Sequence, residues 1–506
     1  MYHVLNLKNI PEKKIPIIEI LLFIGLTGIL LTRINEDFWN DELYTLQHFT
    51  FTSLATTVSD YHVPNNHILF NFINNFYLRI IQIDSLSLLL EQPWTLRLIP
   101  FSYAMLTGFF TYKIGLRLVN KWVARYALLF LITSIPFYYF SLQIRGYGLS
   151  ILLLTVLAYF ILKQLEKQSK SNLLWIIISS AAAVYTLPFN IYPILGVLLG
   201  LSILAVNDYQ KLQQINRQTL KIILVICSGL GLALVLFTPI FKDVFFNEYV
   251  KSGKGFDIDS LINGGQFIFE TLISRRFYVA VFASIGFILL LVKLNRLTFK
   301  LVFLATIILA PFIIVFIRGD NAPSRLFVVI IPLLSIIAAV GINKLVEIIP
   351  IKSIQKHTFS LALIGTYCFV SFSGHRTHTE ELTLSDIKEL RRSQNINCNF
   401  YTENYQPLKA VTAFKSNYSL NPFPVLIYGC EPYGISFYLE KENIPYTSSH
   451  FQANALDSLK NTSNNFYIIT NHPFQFDQDS SINVKQISTE FSYHNALLIS
   501  TSNTQE

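Results

Sequence analysis

Long runs of apolar residues alternate with short polar segments along most of the chain. A helix needs roughly 20 mainly apolar residues to cross a bilayer, and about eleven runs of that size occur before residue 374. This pattern predicts a mainly α, polytopic membrane protein. The runs are 15–33, 95–116, 122–140, 147–163, 172–187, 190–206, 220–239, 277–293, 300–317, 326–345 and 358–373.

Lysine and arginine residues concentrate in every second loop between these runs. Positively charged loops remain on the cytoplasmic side of a membrane, so the N-terminus and those loops are predicted to be cytoplasmic, in a plasma membrane. The intervening loops then face outward, and with an odd number of spans so does everything after about residue 374. The outward loops are 34–94, 141–147, 241–276 and 318–325.

The chain becomes polar after residue 374, with short apolar runs among Asn and Ser residues. The segment PVLIYGCEPYGISFYLEKENIPY is typical of strand, turn, helix and strand, and NNFYIITNHP of another buried strand. We therefore predict a transmembrane domain, 1–374, with an outer loop, 34–94, followed by a small extracytoplasmic α/β domain, 375–506. Cys398 and Cys430 could pair there in an oxidising compartment.

Composition agrees with a membrane protein. Of the 506 residues, 52% are hydrophobic and only 14% are charged, whereas soluble domains carry roughly 25% charged residues. The cytoplasmic loops account for the formal net charge of +8. A nucleic-acid partner is not indicated, because the polar tail shows no surface of interleaved basic and aromatic residues.

Four acids follow the first apolar run in the stretch INEDFWNDELYTLQHF, where the membrane should end. Asp41 and Glu42 lie among aromatic and apolar residues, an amphipathic setting that would hold them at the lipid boundary. A carboxylate partly removed from water there gains basicity, so this pair supplies the candidate general base. Glu36 and Asp37 precede the aromatic pair of this stretch and are expected to be solvated.

A second polar group lies further along the same outer loop, in DYHVPNNHILFNFINNF. His62, Asn66 and His67 are expected either to hydrogen-bond a polar substrate or to cap the helix that begins near Asn66. The spacing of the two histidines on a loop broken by proline is not a strong metal-ligand pattern. A divalent metal is therefore possible but not required.

Several arginines lie at the outer ends of apolar runs. Arg145 lies in a very short loop, where a charge is costly unless it is paired, functional or extended toward the lipid headgroups. Arg275, Arg276, Arg318 and Arg325 lie on the same predicted side. Because guanidinium groups bind phosphate oxygens through paired donors, this set is expected to bind an anionic headgroup.

Together these features predict one chemistry. A sugar carried on a polyprenyl phosphate would use a base at the outer face, arginines for its phosphate and an apolar body that admits its lipid tail. Asp41 would take a proton from an acceptor hydroxyl as it attacks the anomeric carbon, and the arginines would stabilise the departing phosphate. A metal is not obligatory, because arginines can neutralise a monophosphate.

Five motifs in the membrane part, about residues 15–345, resemble those of the integral-membrane GT-C glycosyltransferases. The similarity is to the dolichyl-phosphate-mannose protein mannosyltransferases (glycosyltransferase family 39) and to bacterial relatives that modify lipid A and surface glycans. FWNDELYT resembles the Asp-Glu motif of the first outer loop, which implies Asp41 as catalytic base with Glu42 beside it. The other motifs are VPNNHILFNFI, WTLRLIPF, SLQIRGYGLS and SRLFVVIIPLL.

The motif of the second outer loop shows one departure from the family. SLQIRGYGLS resembles a segment that usually reads Gln-Glu-Ala-Arg-x-Tyr, with Arg145 in the arginine position and Tyr147 as a substrate-binding residue. Gln143 stands where relatives usually have an acid, so any role of that acid is absent or moved. The tail does not resemble the β-trefoil domain of the eukaryotic mannosyltransferases, which leaves a glycan, a lipid or a protein as acceptor.

Two other functions fit the sequence less well. A transporter or flippase of a polyprenyl-linked glycan would place charges inside its spans, whereas the charges here lie at the outer ends. An inactive membrane scaffold whose tail binds surface polymers is the third possibility.

Overall fold

The computed structural model shows a largely helical protein. Helices occupy all eleven apolar runs. The described residues are 17–213, 216–246, 277–292, 296–319, 322–380, 407–428, 432–449, 465–470, 482–486 and 495–501, with isolated positions 262, 265 and 272.

The helices of these described ranges are numbered in chain order. Short turns of 3-10 helix at Pro188–Asn190, Thr238–Ile240 and Ser324–Ile330 join some of them, and a π-helix spans Leu46–Thr50. The α-helices are α1 (Ile17–Leu31), α2 (Asn40–Thr45), α3 (Leu54–Ser59), α4 (Ile68–Ile80), α5 (Leu86–Glu91), α6 (Pro93–Leu118), α7 (Lys121–Ile132), α8 (Ile135–Ser141), α9 (Tyr147–Glu166), α10 (Lys170–Thr186), α11 (Ile191–Leu212), α12 (Arg217–Leu236), α13 (Phe241–Phe245), α14 (Phe277–Val292), α15 (Arg296–Arg318), α16 (Ile331–Ile348), α17 (Ser353–Glu380), α18 (Pro407–Leu420) and α19 (Pro432–Lys441).

Five helical segments in the described part are long and apolar enough to cross a membrane. Two of them, α9 and the segment that includes α16, are mostly buried inside the protein, whereas α12 is largely on the surface. The bundle is therefore built around central helices with others at its periphery. The count of eleven spans stays a prediction.

The predicted span 122–140 is bent in the structure. It divides into α7 and α8, whose axes differ by 67°. Pro136 has no backbone N–H to donate to the carbonyl four residues earlier. The side chain of Ser134 accepts a hydrogen bond from the Phe137 N–H instead and begins a new helix. The bend leads directly into the short loop that carries Arg145.

Charged residues at the far end of α9 are paired with one another. Glu166, in the last turn of α9, accepts from Arg117 of α6 at 2.6 Å and from Lys300 of α15 at 2.8 Å. Since Arg145 precedes the first turn of α9, this ion triad lies at the opposite end of the helix from the loop with Arg145.

The tail contains a five-stranded mixed sheet. Strand order is β2-β1-β3-β5-β4, with β1 parallel to β2 and β3, and β5 antiparallel to β3 and β4. This agrees with the predicted first strand and helix of the first segment and with the strand of the second; the other predicted strand of the first segment lies just beyond it, at Thr447–Ser449. Cys398 and Cys430 lie outside the described residues. The strands are β1 (Val425–Tyr428), β2 (Thr447–Ser449), β3 (Asn465–Thr470), β4 (Ile482–Gln486) and β5 (Asn495–Thr501).

One apolar cluster joins the tail to the outer loop. Phe38 and Leu43, which flank the first turn of α2, are fully buried with Phe414 of α18 and Tyr438 of α19. Helix α17 also continues past the predicted domain boundary at residue 374. The tail therefore packs directly on the segment that carries the four acids.

Candidate functional site

Three segments that are far apart in sequence meet at the Asp41 carboxylate. Asp41 lies in the first turn of α2, Arg145 in the loop before α9, and Arg325 in the 3-10 helix Ser324–Ile330. Arg145 donates to Asp41 Oδ2, and an Arg325 nitrogen lies 3.8 Å from the same oxygen. The structure thus brings together the predicted base and two of the predicted phosphate-binding arginines.

Among the residues that the structure describes, the charges at this point do not balance. Two guanidinium groups face one carboxylate there, and the buried Arg145 Nε atom has no hydrogen-bond partner among them. Burial lowers the pKa of Arg145 to about 10, and Arg325 contributes to the shift, so Arg145 remains charged at neutral pH. The Asp41 side chain is 25% exposed, so an anion can approach from solvent. The arrangement has the excess positive charge and the open donor that an anion site requires.

Asn65, which belongs to the second polar group of the outer loop, completes this group. Its amide oxygen accepts from Arg145. Its amide nitrogen lies 3.4 Å from the Asp41 carbonyl and 3.3 Å from the Thr45 hydroxyl. Asn65 therefore holds the arginine against the helix that carries the carboxylate.

Two of the predicted substrate-binding residues are engaged within the outer loop. The buried Asn66 amide donates to the carbonyls of Thr57 and Asp60, at 2.9 and 2.7 Å. His62 is paired with Asp60 through Nδ1 at 2.6 Å and with the Tyr44 hydroxyl through Nε2 at 2.9 Å. Asn66 holds the shape of the loop, whereas His62 stays on its surface.

His67 lies beside the anion site, on the N-terminal side of α4. It makes no side-chain capping bond to α4, so the capping alternative is wrong for this residue. Its Nδ1 accepts from the Gly146 N–H at 2.7 Å, and its ring meets that of Tyr147 edge to face. Burial, aided by Arg325, lowers the pKa of His67 to about 3. The neutral ring therefore carries its proton on Nε2.

Gly146 and Tyr147 shape the other side of Arg145. A Cβ atom on Gly146 would lie 2.8 Å from the His67 Cβ, so only glycine permits this close approach. Tyr147 is buried, and the Arg145 guanidinium carbon lies 5.3 Å from its ring centroid. Tyr147 thus supports the arginine by a cation–π contact.

Glu42 has a different environment from its neighbour Asp41. Its carboxylate accepts from the backbone N–H groups of Trp39 and Ile144, at 2.8 and 2.5 Å, and from Arg97 at 3.0 Å. The Glu42 and Arg97 side chains are 3% and 4% exposed. The catalytic role of Glu42 stays a prediction; the structure shows its carboxylate as a buried connection between α2, α6 and the loop of Arg145.

The acids expected to be solvated are also engaged. Glu36 is bound by Arg33 at 2.8 Å, and Asp37 Oδ2 accepts from the Leu408 N–H of the tail at 3.0 Å. Asp37 was expected to be solvated. In the structure the tail packs on this part of the outer loop and its Leu408 N–H binds the Asp37 carboxylate.

The remaining predicted groups are Arg318, Gln143 and two arginines outside the described residues. Arg275 and Arg276 lie outside the described residues. Arg318 is exposed and donates to the Tyr192 hydroxyl at 2.6 Å. The Gln143 side-chain oxygen is buried and has no hydrogen-bond partner in the part of the chain that the structure describes. Within the described ranges, no three His, Cys, Asp or Glu residues are grouped as a metal site would need.

Comparison with protein families and with characterised proteins finds no match. Solved structures do match. ArnT from Cupriavidus metallidurans in the apo state has a TM-score of 0.52 at 11% identity, covering 95% of this chain and 97% of ArnT. ArnT bound to undecaprenyl phosphate gives 0.51 at 11% identity, covering 96% and 98%. ArnT is a GT-C membrane glycosyltransferase.

The chain shares the fold of ArnT. This confirms the fold expected from the five sequence motifs. The identity is too low for the comparison to say more than the fold. The chemistry rests on the residues around Asp41.

Proposed function

We propose that this protein is an inverting glycosyltransferase. It moves a sugar from a polyprenyl-phosphate donor to an acceptor hydroxyl on a surface glycan, a glycolipid or a protein, at the outer face of the plasma membrane. The observation that carries the proposal is the convergence of Arg145 and Arg325 on Asp41. The binding of undecaprenyl phosphate by ArnT, which shares the fold, supports the choice of donor.

The ion pair between Asp41 and Arg145 gives the reaction an order. A carboxylate held by a guanidinium group is a weak base. The donor phosphate competes for Arg145 and Arg325, and this releases the Asp41 carboxylate. Asp41 therefore becomes an effective base only when the donor is bound.

The transfer is a single displacement. Asp41 takes the proton of the acceptor hydroxyl, and the acceptor oxygen attacks the anomeric carbon from the side opposite the phosphate. The bond between the anomeric carbon and the phosphate oxygen breaks, and the polyprenyl phosphate leaves with both bonding electrons, stabilised by Arg145 and Arg325. One displacement inverts the anomeric centre.

The test measures donor binding and release of polyprenyl phosphate by the full-length protein in lipid nanodiscs, using a panel of polyprenyl-phosphate sugars. Arg145→Ala should weaken donor binding roughly 10- to 100-fold, since it removes charged hydrogen bonds. Arg145→Lys should recover only part, because lysine lacks two-pronged geometry. Arg318→Ala, an exposed arginine bound to Tyr192, is the matched control and should bind donor like the wild type.

Two results would contradict the proposal. If Arg145→Ala and Arg145→Lys both bind donor normally, Arg145 only anchors the loop at the membrane surface. If the wild type moves the intact donor across a membrane and never releases polyprenyl phosphate, the protein is a flippase.

A further inference from the structure

Helix α4 of the outer loop has its polar side buried and its apolar side on the surface. Asn71, Asn74 and Asn75 are buried, and the amides of Asn71 and Asn75 donate to Asn66 and Thr57. A surface helix of a soluble protein has the reverse arrangement. The opposite side of α4 is a row of apolar side chains at helical spacing, called here the α4 stripe: Leu69, Phe72, Ile73, Phe76, Tyr77 and Ile80.

The described residues cover the α4 stripe only in part. Phe72, Phe76 and Ile80 are 37%, 53% and 62% exposed. Of the six side chains only Tyr77 has a hydrogen-bonding group, and its hydroxyl donates to the Thr95 carbonyl at 3.2 Å. A protein partner usually forms about one hydrogen bond per 100–200 Å² of interface, whereas lipid acyl chains form none. The chemistry of the α4 stripe therefore suits hydrocarbon.

Helices α6 and α9 run side by side in the same direction, and they give a scale for the depth of α4. The Phe110 ring of α6 lies 5.2 Å from the Tyr159 ring of α9. Seven residues further along both helices, Arg117 binds Glu166, which is 49 residues later in the sequence. Each residue of α9 is therefore level with the residue of α6 that precedes it by 49 positions.

Helix α4 packs on α6 at the level where α9 begins. Because α9 is long and apolar enough to cross a membrane, its first residue, Tyr147, lies near a membrane face. The offset places Tyr147 level with Leu98 of α6. Helix α4 contacts α6 at Thr95, through the hydrogen bond above, and at Tyr103, whose ring centroid lies 6.5 Å from that of Phe70. At roughly 1.5 Å per residue these contacts lie about 4.5 Å outside and about 7.5 Å inside that level.

We propose that α4 lies in the lipid leaflet at the membrane face that carries the anion site, with the α4 stripe against the acyl chains. Helices in this position bury their apolar face roughly 5–10 Å deep, which agrees with the depth of the contacts with α6. His67 directly precedes α4 and binds the Gly146 N–H beside Arg145. The embedded helix thus holds the loop of Arg145 at the level of the lipid headgroups. This position of α4 does not depend on glycosyl transfer.

Photo-crosslinking tests the position of α4 in the full-length protein in phosphatidylcholine nanodiscs. The probe is p-benzoylphenylalanine, which inserts into nearby C–H bonds under ultraviolet light, and it replaces Phe76 or, in a second variant, Phe72. The matched control carries the probe at Leu420, an exposed apolar residue at the end of α18 in the tail. The Phe76 and Phe72 variants should gain the mass of one phospholipid in a larger fraction of the protein than the Leu420 variant does.

Three results would overturn the proposal: lipid adducts at Phe76 and Phe72 no more frequent than at Leu420, crosslinks from the α4 stripe to another protein segment or a second copy, or adducts of added undecaprenyl phosphate in preference to phosphatidylcholine. Thermal unfolding near the wild-type temperature shows that each variant is folded. Binding of undecaprenyl phosphate by the wild type is measured separately. Its absence would refute the proposed donor and leave the position of α4 unchanged, so the two failures are distinguishable.

Discussion

Replacing two adjacent acids should separate chemistry from structure at this site. Asp41→Asn and Glu42→Gln each remove one negative charge and keep the size of the side chain. The Asp41 carboxylate is partly exposed and faces Arg145 and Arg325. The Glu42 carboxylate is buried and paired with Arg97. We expect Asp41→Asn to abolish turnover in a folded protein, and Glu42→Gln to destabilise the fold.

The magnitudes follow from these environments. A general base is worth about 10²–10⁴ in rate, so turnover of Asp41→Asn should fall by that factor. Removing one partner of a buried ion pair costs about 3–5 kcal/mol. Glu42→Gln leaves Arg97 charged and buried, and it also weakens the bonds from Trp39 and Ile144. The stability loss in Asp41→Asn should be much smaller, because Asn65 still binds Arg145.

The assay combines three measurements on each purified variant: thermal unfolding, donor binding and the rate of polyprenyl phosphate release. Asp41→Asn should unfold near the wild-type temperature, bind donor and release almost no product. Glu42→Gln should unfold at a clearly lower temperature. If Asp41→Asn keeps full turnover while a stable Glu42→Gln has none, the two roles are reversed. If neither variant loses turnover, the mechanism proposed here is wrong.

Three further predictions concern other parts of the molecule. The unfolded state binds a proton at His67 near pH 6.5 but the folded state only near pH 3, so acidification from pH 6.5 to 5 should destabilise wild type by roughly 2 kcal/mol. Thermal unfolding across this range should show a smaller loss for His67→Gln. Asp37→Ala should speed hydrogen exchange at the start of α18, because the Leu408 N–H loses its acceptor, whereas Asp37→Asn should not. A reporter that is active only outside the cytoplasm should work after Glu506 and be silent near Gln213; an inactive fusion at Glu506 would mean an even number of spans.

Much of the fold could be predicted because its signals are local. Apolar runs near 20 residues identify membrane helices, and the short runs of the tail identify strands. Pro136 is a local signal for the bend between α7 and α8. The prediction of one span over 122–140 used hydrophobicity alone and did not include this signal. The sequence also predicted that Asp41, Arg145 and Arg325 would lie near one another, because the charge pattern placed their three loops on the same side of the membrane.

The partners of individual side chains could not be predicted. In the segment VPNNH, Asn65 and Asn66 are chemically identical, and only the turn decides that Asn65 meets Arg145 while Asn66 faces the loop interior. Asp37 looked solvated because its partner, the Leu408 N–H, is a backbone group 371 residues away. Long-range contacts of this kind leave no local signal in one sequence.

Asp41 and Glu42 are neighbours in the outer loop, and each contacts arginine. The different surroundings of the two carboxylates show why Asp41 suits chemistry and Glu42 suits a structural role. Glu42 and Arg97 form a balanced, buried pair, in which neither charge can respond to an incoming ligand without a large desolvation cost. Asp41 faces two arginines and is partly open to solvent, so an anion that takes over Arg145 improves the charge balance and frees the base. Because Ile144 binds Glu42 and the next residue, Arg145, binds Asp41, the balanced pair also fixes the position of the reactive one.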